Sequence, residues 1–149
     1  MWDPEVGKHT VYARDYGRQL TTTTLPNGFL NYFSSLTNLT HKRLIVQRII
    51  ADTEAIHTML SSHESRMYSS SILFVYVGDT EALEDGIQAE ARDEVVDDDD
   101  DDEESVPQLI SKTKLIDFAH AAFKEGEGPD HNVLFGIQKI LEHLKALNV

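Results

Sequence analysis

Cysteine is absent from this chain of 149 residues, which excludes disulfide bonds and thiolate metal sites and favours a reducing, intracellular setting. Apolar runs of 18 residues or more are also absent, so no membrane span is expected. The first residues, Met1 to Glu5, lack the basic region and the apolar stretch of a secretory signal. The length suits one domain with a core of its own.

Acidic charge is plentiful but confined to one segment. Of 26 acidic and 13 basic residues, 14 acids and one base, Arg92, lie between Glu81 and Glu104, which leaves twelve of each sign elsewhere. The net charge of −13 therefore describes that segment, and no general nucleic-acid-binding surface is evident. Because dense like charge opposes compaction, we predict that residues 80–108, which include six consecutive aspartates at 97–102, form a disordered acidic insert.

Two strands are predicted on either side of this insert. Residues Ser69 to Val77 form a near-continuous apolar run, which predicts a strand buried on both faces. A second strand is predicted from Lys112 to Phe118. The insert joins these strands, and a flexible connection adds closure entropy only slowly as it lengthens. We therefore expect the two strands to be paired neighbours.

The remaining elements are predicted from apolar spacing and turn residues. The strongest helical pattern has Thr40 as its expected cap. A hairpin at the start of the chain has a very short first arm, which suggests that the chain begins inside a domain. In chain order, we predict the hairpin at residues 2–12, a loop at 16–24, and helices at 28–36, 40–62 and 129–147.

Three segments occur in an order that is typical of a known family. They are Tyr12-Ala13-Arg14-Asp15-Tyr16-Gly17-Arg18-Gln19-Leu20, then Ser70-Ser71-Ile72-Leu73-Phe74-Val75-Tyr76, then Leu115-Ile116-Asp117-Phe118-Ala119-His120, which Gly128-Pro129-Asp130 and Leu134-Phe135-Gly136 follow. Together they resemble the C-terminal half of the inositol polyphosphate kinase family, in particular its multikinase-like branch.

The resemblance implies an α+β fold, a fragment of the large C-terminal lobe of a two-lobed, kinase-like architecture in which antiparallel strands carry packed helices. It divides the chain into an N-terminal portion of that lobe (1–79), the acidic insert (80–108) and a metal-binding strand, loop and C-terminal helix (109–149). The family's Pro-x-x-x-Asp-x-Lys-x-Gly signature for inositol phosphate binding is absent, as is its N-terminal lobe. Val77 stands where the family usually has an acidic residue.

Asp117 is the main candidate for catalysis. The resemblance implies that it binds Mg²⁺, because it matches the aspartate of the family's Ile-Asp-Phe motif. A carboxylate at the end of a strand is a rigid, hard-oxygen ligand of the kind that Mg²⁺ prefers. The alternative is an aspartate that only caps a loop through backbone amides.

Five further residues are weaker candidates. Ser70 and Ser71 match a Ser-Ser-Leu-Leu motif on the nucleotide side of the family's cleft, although hydroxyls at a strand start often bond only to backbone. Arg14 and Arg18 are candidates for contacts with substrate phosphates, and a solvated salt bridge is the plainer interpretation. His120 could hydrogen-bond a carboxylate or orient the metal-binding loop without binding the metal itself. A structural role is the alternative.

The resemblance implies phosphoryl transfer from ATP, with Mg²⁺, to an inositol polyphosphate in the nucleus or cytoplasm. Because the inositol-binding signature is missing, we expect the chain alone to be a truncated kinase with negligible turnover. An upstream start codon that restores the missing part is a further alternative. A non-enzymatic hypothesis makes the chain an interaction module whose acidic insert binds a basic protein partner, although such charge runs are usually solvated linkers.

Overall fold

The computed structural model of the chain describes residues 2–3, 7–9, 11–92 and 109–147. These residues form helices packed on antiparallel strand pairs, which confirms the predicted α+β class. Within them, no helix is long and apolar enough to cross a bilayer. In chain order the elements are β1 (Trp2–Asp3), β2 (Lys8–His9), α1 (Arg14–Gln19), α2 (Leu25–Tyr32), α3 (Leu39–Ser61), β3 (Ser65–Tyr68), β4 (Ser71–Tyr76), α4 (Thr80–Ala91), β5 (Ser111–Ile116), β6 (His120–Phe123) and α5 (His131–Lys145).

The two strands that flank the acidic segment are paired, as predicted. Strands β4 and β5 are antiparallel, in a register that runs from Ser71 opposite Ile116 to Tyr76 opposite Ser111. Strands β3 and β6 pair in the same sense, with Tyr68 opposite His120 at the near end. The chain therefore forms one long antiparallel ribbon, which is interrupted where β3 passes into β4 and β5 passes into β6.

Strand β4 is not buried on both faces, so that prediction is wrong. Its side chains alternate between half-buried and exposed, and Leu73 and Val75 are 42% and 50% exposed. Phe74 and Tyr76 point inward and pack against the core. The apolar run is continuous because both faces carry apolar residues, but the described part of the chain covers only one of them with helices.

Helix α3 is the central element and runs close to its predicted bounds. Its cap is Asn38, whose Oδ1 accepts hydrogen bonds from the Thr40 and His41 amides, and not Thr40 as predicted. Ile45 and Ile49 on its inner stripe are fully buried, as is the Thr53 side chain, whose hydroxyl donates to the Ile49 carbonyl. The helix packs against both α5 and β5, and its inner stripe supplies a third of the buried hydrophobic residues among those described.

Two other helix predictions and one loop prediction need adjustment. Helix α5 is capped by Asp130, one residue after the expected start at Pro129, and it buries Ile137, Leu141 and Leu144. Helix α2 begins at Leu25, earlier than predicted, because Pro26 suits its first turn. The loop predicted at residues 16–24 is wrong for its first part, since α1 extends to Gln19.

The acidic insert is ordered where it begins, which corrects the predicted disorder for residues 80–92. Helix α4 starts after Asp79, whose Oδ1 accepts the Ala82 amide at 2.9 Å. Leu83 is completely buried, and the Arg48 guanidinium on α3 donates two hydrogen bonds to the Glu90 carboxylate. When charge is counted over the whole predicted insert, the apolar spacing that packs α4 against the core is not apparent. The aspartate run at 97–102 lies outside the described residues.

A pair of tyrosines joins α2 to β4. The Tyr32 hydroxyl donates to the Phe74 carbonyl, and the Tyr76 hydroxyl donates to the Tyr32 carbonyl. Ser35 Oγ lies 2.8 Å from the Tyr76 hydroxyl and completes the group. Burial raises the pKa of Tyr32 from 10.0 to about 12, and the nearby Tyr76 charge adds to the effect. Burial also raises the pKa of Tyr76, against a lowering by the Ser35 hydrogen bond.

These shifts predict a loss of stability at alkaline pH. A tyrosine whose pKa is higher in the folded than in the unfolded chain stabilises the fold fully below pH 10, and this contribution disappears as the pH rises towards 12. We expect Tyr32→Phe to lose less stability than the parent chain between pH 8 and pH 11 in urea unfolding. Tyr68→Phe, at an exposed position, is the control and should match the parent. Equal alkaline losses in all three proteins would contradict the prediction.

Candidate functional site

The interruption of the long ribbon, which we call the junction, is the most unusual backbone feature near the candidate residues. It comprises Ser69 and Ser70 on one side and residues 117–119 on the other, so that two residues oppose three. Ser69 and Asp117 adopt φ values of 60° and 66°, in the left-handed region. Non-glycine residues are uncommon there, although Asp tolerates it better than most. An extra residue on one side of an antiparallel strand pair, as in a β-bulge, bends the strands and changes the direction of the nearby side chains.

The junction brings together three of the residues predicted from sequence. Ser71 lies directly opposite Ile116, the residue before Asp117. Ser70 is the residue before Ser71, and its hydroxyl donates to the Met67 carbonyl at 3.2 Å. That bond fits the plainer interpretation of Ser70, a hydroxyl that satisfies backbone at a strand start. The Asp117 side chain is exposed at the end of β5.

The junction offers one carboxylate, which suits a metal ion whose other ligands are waters and substrate phosphates. Among the described residues, no group of three or more His, Cys, Asp or Glu side chains converges on a point where an ion could sit. Mg²⁺ in nucleotide-binding sites is commonly held by one or two carboxylates, with waters and substrate phosphates as its remaining ligands. A single exposed carboxylate such as Asp117 meets that requirement, whereas it could not hold a structural ion alone.

A clamp that was not predicted from sequence positions the loop after β6. The Glu64 carboxylate accepts hydrogen bonds from the Gly126 and Gly128 amides at 2.7 and 3.1 Å. Both glycines have positive φ, at 79° and 68°, which glycine adopts without strain. The Arg66 guanidinium reaches the same loop, where it donates to the Gly128 carbonyl and to the Glu127 carbonyl and carboxylate.

Asp130 completes this clamp and starts α5. One carboxylate oxygen accepts the Asn132 and Val133 amides, as a helix cap does, and the other accepts the Met67 amide of β3 at 3.1 Å. The Gly128-Pro129-Asp130 motif therefore serves to fix α5 against β3, close to the junction. Glu64 and Arg66 carry no local signal for this role, because their partners lie about 62 residues further along the chain.

Two concave regions adjoin the clamp and the junction. A cavity of about 450 Å³ lies between β3 and the start of α5, lined in part by Arg66, Tyr68 and His131. A second, of about 200 Å³, has an apolar lining that includes Leu115 and Ile137, with Ser70 and Ser71 at one side. Asp117 lines neither of them.

The two arginine candidates lie on a different element. Arg18 forms an exposed ion pair with Asp15, with 3.8 Å between the charged atoms, as the plainer interpretation of this residue predicted. Arg14 is exposed on the same short helix. Helix α1 is tied to α2 through the Asn31 amide and the Tyr16 hydroxyl, and among the described residues no hydrogen bond or ion pair joins it to the junction. Contacts of these arginines with a substrate therefore stay a prediction.

His120 is the first residue of β6 and is exposed opposite Tyr68. It lies on the ribbon directly beyond the junction, three residues from Asp117. A role in orienting the Asp117 loop stays a prediction. The closing hydrogen bond of the turn, from the Ala121 amide to the Phe118 carbonyl at 2.9 Å, comes from backbone.

Comparison with known proteins identifies the family to which this chain belongs. The sequence profile of the family "Inositol polyphosphate kinase" matches residues 1–145, so the chain belongs to that family. It is similar to the inositol polyphosphate multikinase of Saccharomyces cerevisiae, with 29% identity over 150 residues, and to the inositol hexakisphosphate kinase 3 of Mus musculus, with 27% identity over 140 residues.

The fold is similar to that of a solved family structure. A crystal structure of the inositol phosphate multikinase of Saccharomyces cerevisiae, in complex with ADP and Mn²⁺, matches with a TM-score of 0.67 and 28% identity. The match covers 87% of this chain and 48% of that one. The sequence matches likewise cover 85% and 89% of this chain but only 42% of the yeast relative and 32% of the mouse relative. The chain thus spans less than half the length of each of them.

Proposed function

We propose that this chain carries the metal-binding end of an inositol polyphosphate kinase that transfers the γ-phosphoryl group of ATP to an inositol phosphate. The observation that carries the proposal is the position of Asp117. It follows a paired strand immediately, it is exposed, and its backbone is turned into the left-handed region beside Ser70 and Ser71. The names of the two curated relatives, both inositol phosphate kinases, support the substrate class.

In this proposal Asp117 holds Mg²⁺ together with the nucleotide phosphates. The yeast relative was crystallised with ADP and Mn²⁺, which supports a nucleotide and a divalent cation for this chain as well. When bound, the cation supplies positive charge that offsets the negative charge developing on the transferred group. The protein's own contribution is positioning: the junction backbone fixes the carboxylate, and the clamp at Glu64 and Asp130 fixes the loop and helix beside it.

The proposal also requires a substrate-binding part that this sequence does not contain. The signature Pro-x-x-x-Asp-x-Lys-x-Gly is absent, and positioning the acceptor hydroxyl is a major part of phosphoryl transfer. We therefore expect purified chain to convert inositol trisphosphate at a negligible rate. Robust metal-dependent turnover by this chain alone would refute that expectation.

Binding of a metal–nucleotide complex tests the proposal on the chain as it stands. Mn²⁺ with ADP should broaden the backbone amide NMR signals of residues near Asp117, including Ser70 and Ser71, because the paramagnetic ion relaxes nearby nuclei. We expect this broadening to disappear in Asp117→Asn, a substitution that removes the charge and keeps the size.

The acidic segment makes a control necessary, since clustered carboxylates attract Mn²⁺ without forming a site. The same titration with Mn²⁺ alone measures that background. Asp52→Asn, at an exposed position on α3, should leave the broadening around the junction unchanged. If only the acidic segment broadens, with or without ADP and in both variants, the assignment of Asp117 as the metal ligand is wrong.

A further inference from the structure

The carboxylate of Asp130 contacts two elements at once. Its Oδ1 accepts hydrogen bonds from the Asn132 and Val133 amides at 3.1 and 3.3 Å, which are the contacts of a helix cap. Its Oδ2 accepts the Met67 amide of β3 at 3.1 Å. A helix cap needs only one side-chain oxygen, so the bond to Met67 is not explained by the start of α5.

Met67 is also the first residue of the turn that forms one side of the junction. The Ser70 amide donates to the Met67 carbonyl at 3.5 Å, which makes residues 67–70 a β-turn. Its third residue, Ser69, has a φ of 60°, and β-turns with a positive φ at that position favour glycine or asparagine. Because the closing bond is long and Ser69 is in a costly conformation, the turn needs support from contacts outside its backbone.

Two side chains supply that support at Met67. The Ser70 hydroxyl donates to the Met67 carbonyl at 3.2 Å, and the Asp130 carboxylate holds the Met67 amide. We propose that Asp130 is a positioning residue for the metal–nucleotide site. By fixing Met67 it holds the turn, and with it Ser70 and Ser71, in place. Asp130 itself does not bind the metal, and the inference rests on the proposed function because it concerns the same site.

The path from Asp130 to the proposed metal ligand is short. The bond to Met67 fixes the start of the turn, and the turn leads directly into Ser71 at the start of β4. Ser71 lies opposite Ile116, and Asp117 follows Ile116 in the chain. Replacing a residue that holds metal ligands in place from outside typically changes metal affinity by about 10–100-fold. Asp130 acts through an intervening residue, so we expect a smaller loss, of about fivefold.

Two substitutions separate the cap from the bond to Met67. Asparagine and serine cap helices about as well as aspartate. Neither can also accept the Met67 amide, because the second polar atom of asparagine is a donor and serine has one short hydroxyl. We would titrate Asp130→Asn and Asp130→Ser with Mn²⁺–ADP and follow the broadening of the Ser70 and Ser71 amide NMR signals. In both variants the Mn²⁺–ADP concentration that gives half of the broadening should rise about fivefold relative to the parent chain.

Asp79→Asn is the matched control, because Asp79 caps α4 in the same way. Its Oδ1 accepts the Ala82 amide at 2.9 Å, and it follows the end of β4 that is remote from the junction. The variant loses the same charge and keeps a cap, so we expect it to have the parent's half-broadening concentration. Amide hydrogen exchange without metal gives a second comparison. The Met67 and Ser70 amides should exchange several-fold faster in the Asp130 variants, and at the parent's rate in Asp79→Asn.

Relief of the strain in the turn should remove the need for Asp130. Ser69→Gly places at φ 60° a residue that adopts this conformation without steric cost, so the turn then needs less support. In Ser69→Gly combined with Asp130→Ser, we expect a half-broadening concentration within about twofold of that of Ser69→Gly alone. A gap of about fivefold between these two proteins would overturn the proposal, since Asp130 would then act by a route other than the turn.

The titration distinguishes failure of the positioning role from failure of the proposed function. Asp130 variants that keep the parent's half-broadening concentration, although the Met67 amide exchanges faster, would overturn the positioning role and leave Asp130 with a structural role only. A weakening that disappears in about 1 M KCl, where the Debye length is about 3 Å, would assign the effect to the charge of Asp130 and would also overturn it. Both results leave the proposed function intact. A parent chain without broadening near Asp117 would instead reject the proposed function, and the positioning role with it.

Discussion

Replacement of Leu83 by alanine is expected to lower the free energy of unfolding by about 2–5 kcal/mol. Leu83 lies on α4 and is completely buried in the main core cluster, which also contains residues of α3 and α5. Truncation removes its apolar contacts and leaves a cavity that the surrounding helices can fill only in part. Urea unfolding followed by circular dichroism measures the effect. The exposed Leu39→Ala is the control and should change stability by no more than about 0.5 kcal/mol.

The ion pair on the same helix is expected to matter much less. Arg48 and Glu90 meet with good geometry, but their side chains are 38% and 31% exposed, and partly exposed pairs contribute about 0–1 kcal/mol. Arg48→Met should therefore cost less than Leu83→Ala. If Leu83→Ala cost no more than Leu39→Ala, α4 would not be part of the cooperative fold, and the predicted disorder would hold for residues 80–92 after all.

The comparison of α4 with α3 explains which elements could be predicted. Helix α3 has 23 residues and repeats its apolar spacing over six turns, so the pattern stands out in any window. Helix α4 has 12 residues and only two buried positions, Leu83 and Gly86, among several acids. Its ordering comes from the cap at Asp79 and from tertiary burial, and neither is visible when charge is counted over 29 residues.

At the junction too, contiguous motifs could be predicted, whereas contacts between residues far apart in the sequence could not. The motifs around Ser70 and Asp117 could be found because they are contiguous, and the pairing of β4 with β5 followed from their sequence order. The clamp could not be found, because Glu64 and Arg66 act on backbone groups of a loop about 62 residues away. Nor does the sequence reveal the positive φ of Asp117, since aspartate also occupies ordinary backbone regions.

That positive φ decides which substitution is informative at Asp117. A residue with a bulky or branched side chain would strain the backbone at φ 66°, so its effect on activity would mix folding with chemistry. Asparagine tolerates the left-handed region about as well as aspartate and has the same size. Asp117→Asn therefore isolates the loss of charge. Its urea unfolding curve should match that of the parent chain.

We expect Asp117→Asn to reduce kcat at least 100-fold in a yeast–chain fusion, a single polypeptide in which the part of the yeast multikinase that this chain does not match precedes Trp2. A carboxylate that holds the metal–nucleotide complex supports several kcal/mol of transition-state stabilisation, and each 1.36 kcal/mol corresponds to about tenfold in rate. The assay would follow ATP-dependent phosphorylation of an inositol phosphate by the yeast–chain fusion at several Mg²⁺ concentrations. Weaker metal binding should also shift the half-saturating Mg²⁺ concentration upwards, which a purely structural role for Asp117 would not do.

Asp52→Asn is the matched control for this experiment, because it removes an exposed carboxylate that lies on helix α3 and not on the ribbon. It should keep the parent's kcat and Mg²⁺ dependence. Suppose that the Asp117→Asn fusion has the parent's unfolding curve, kcat and Mg²⁺ dependence. Asp117 would then be excluded as the metal ligand. The exposed position of Asp117 would then reflect only the unequal count of residues at the junction, where the left-handed backbone turns β5 into β6.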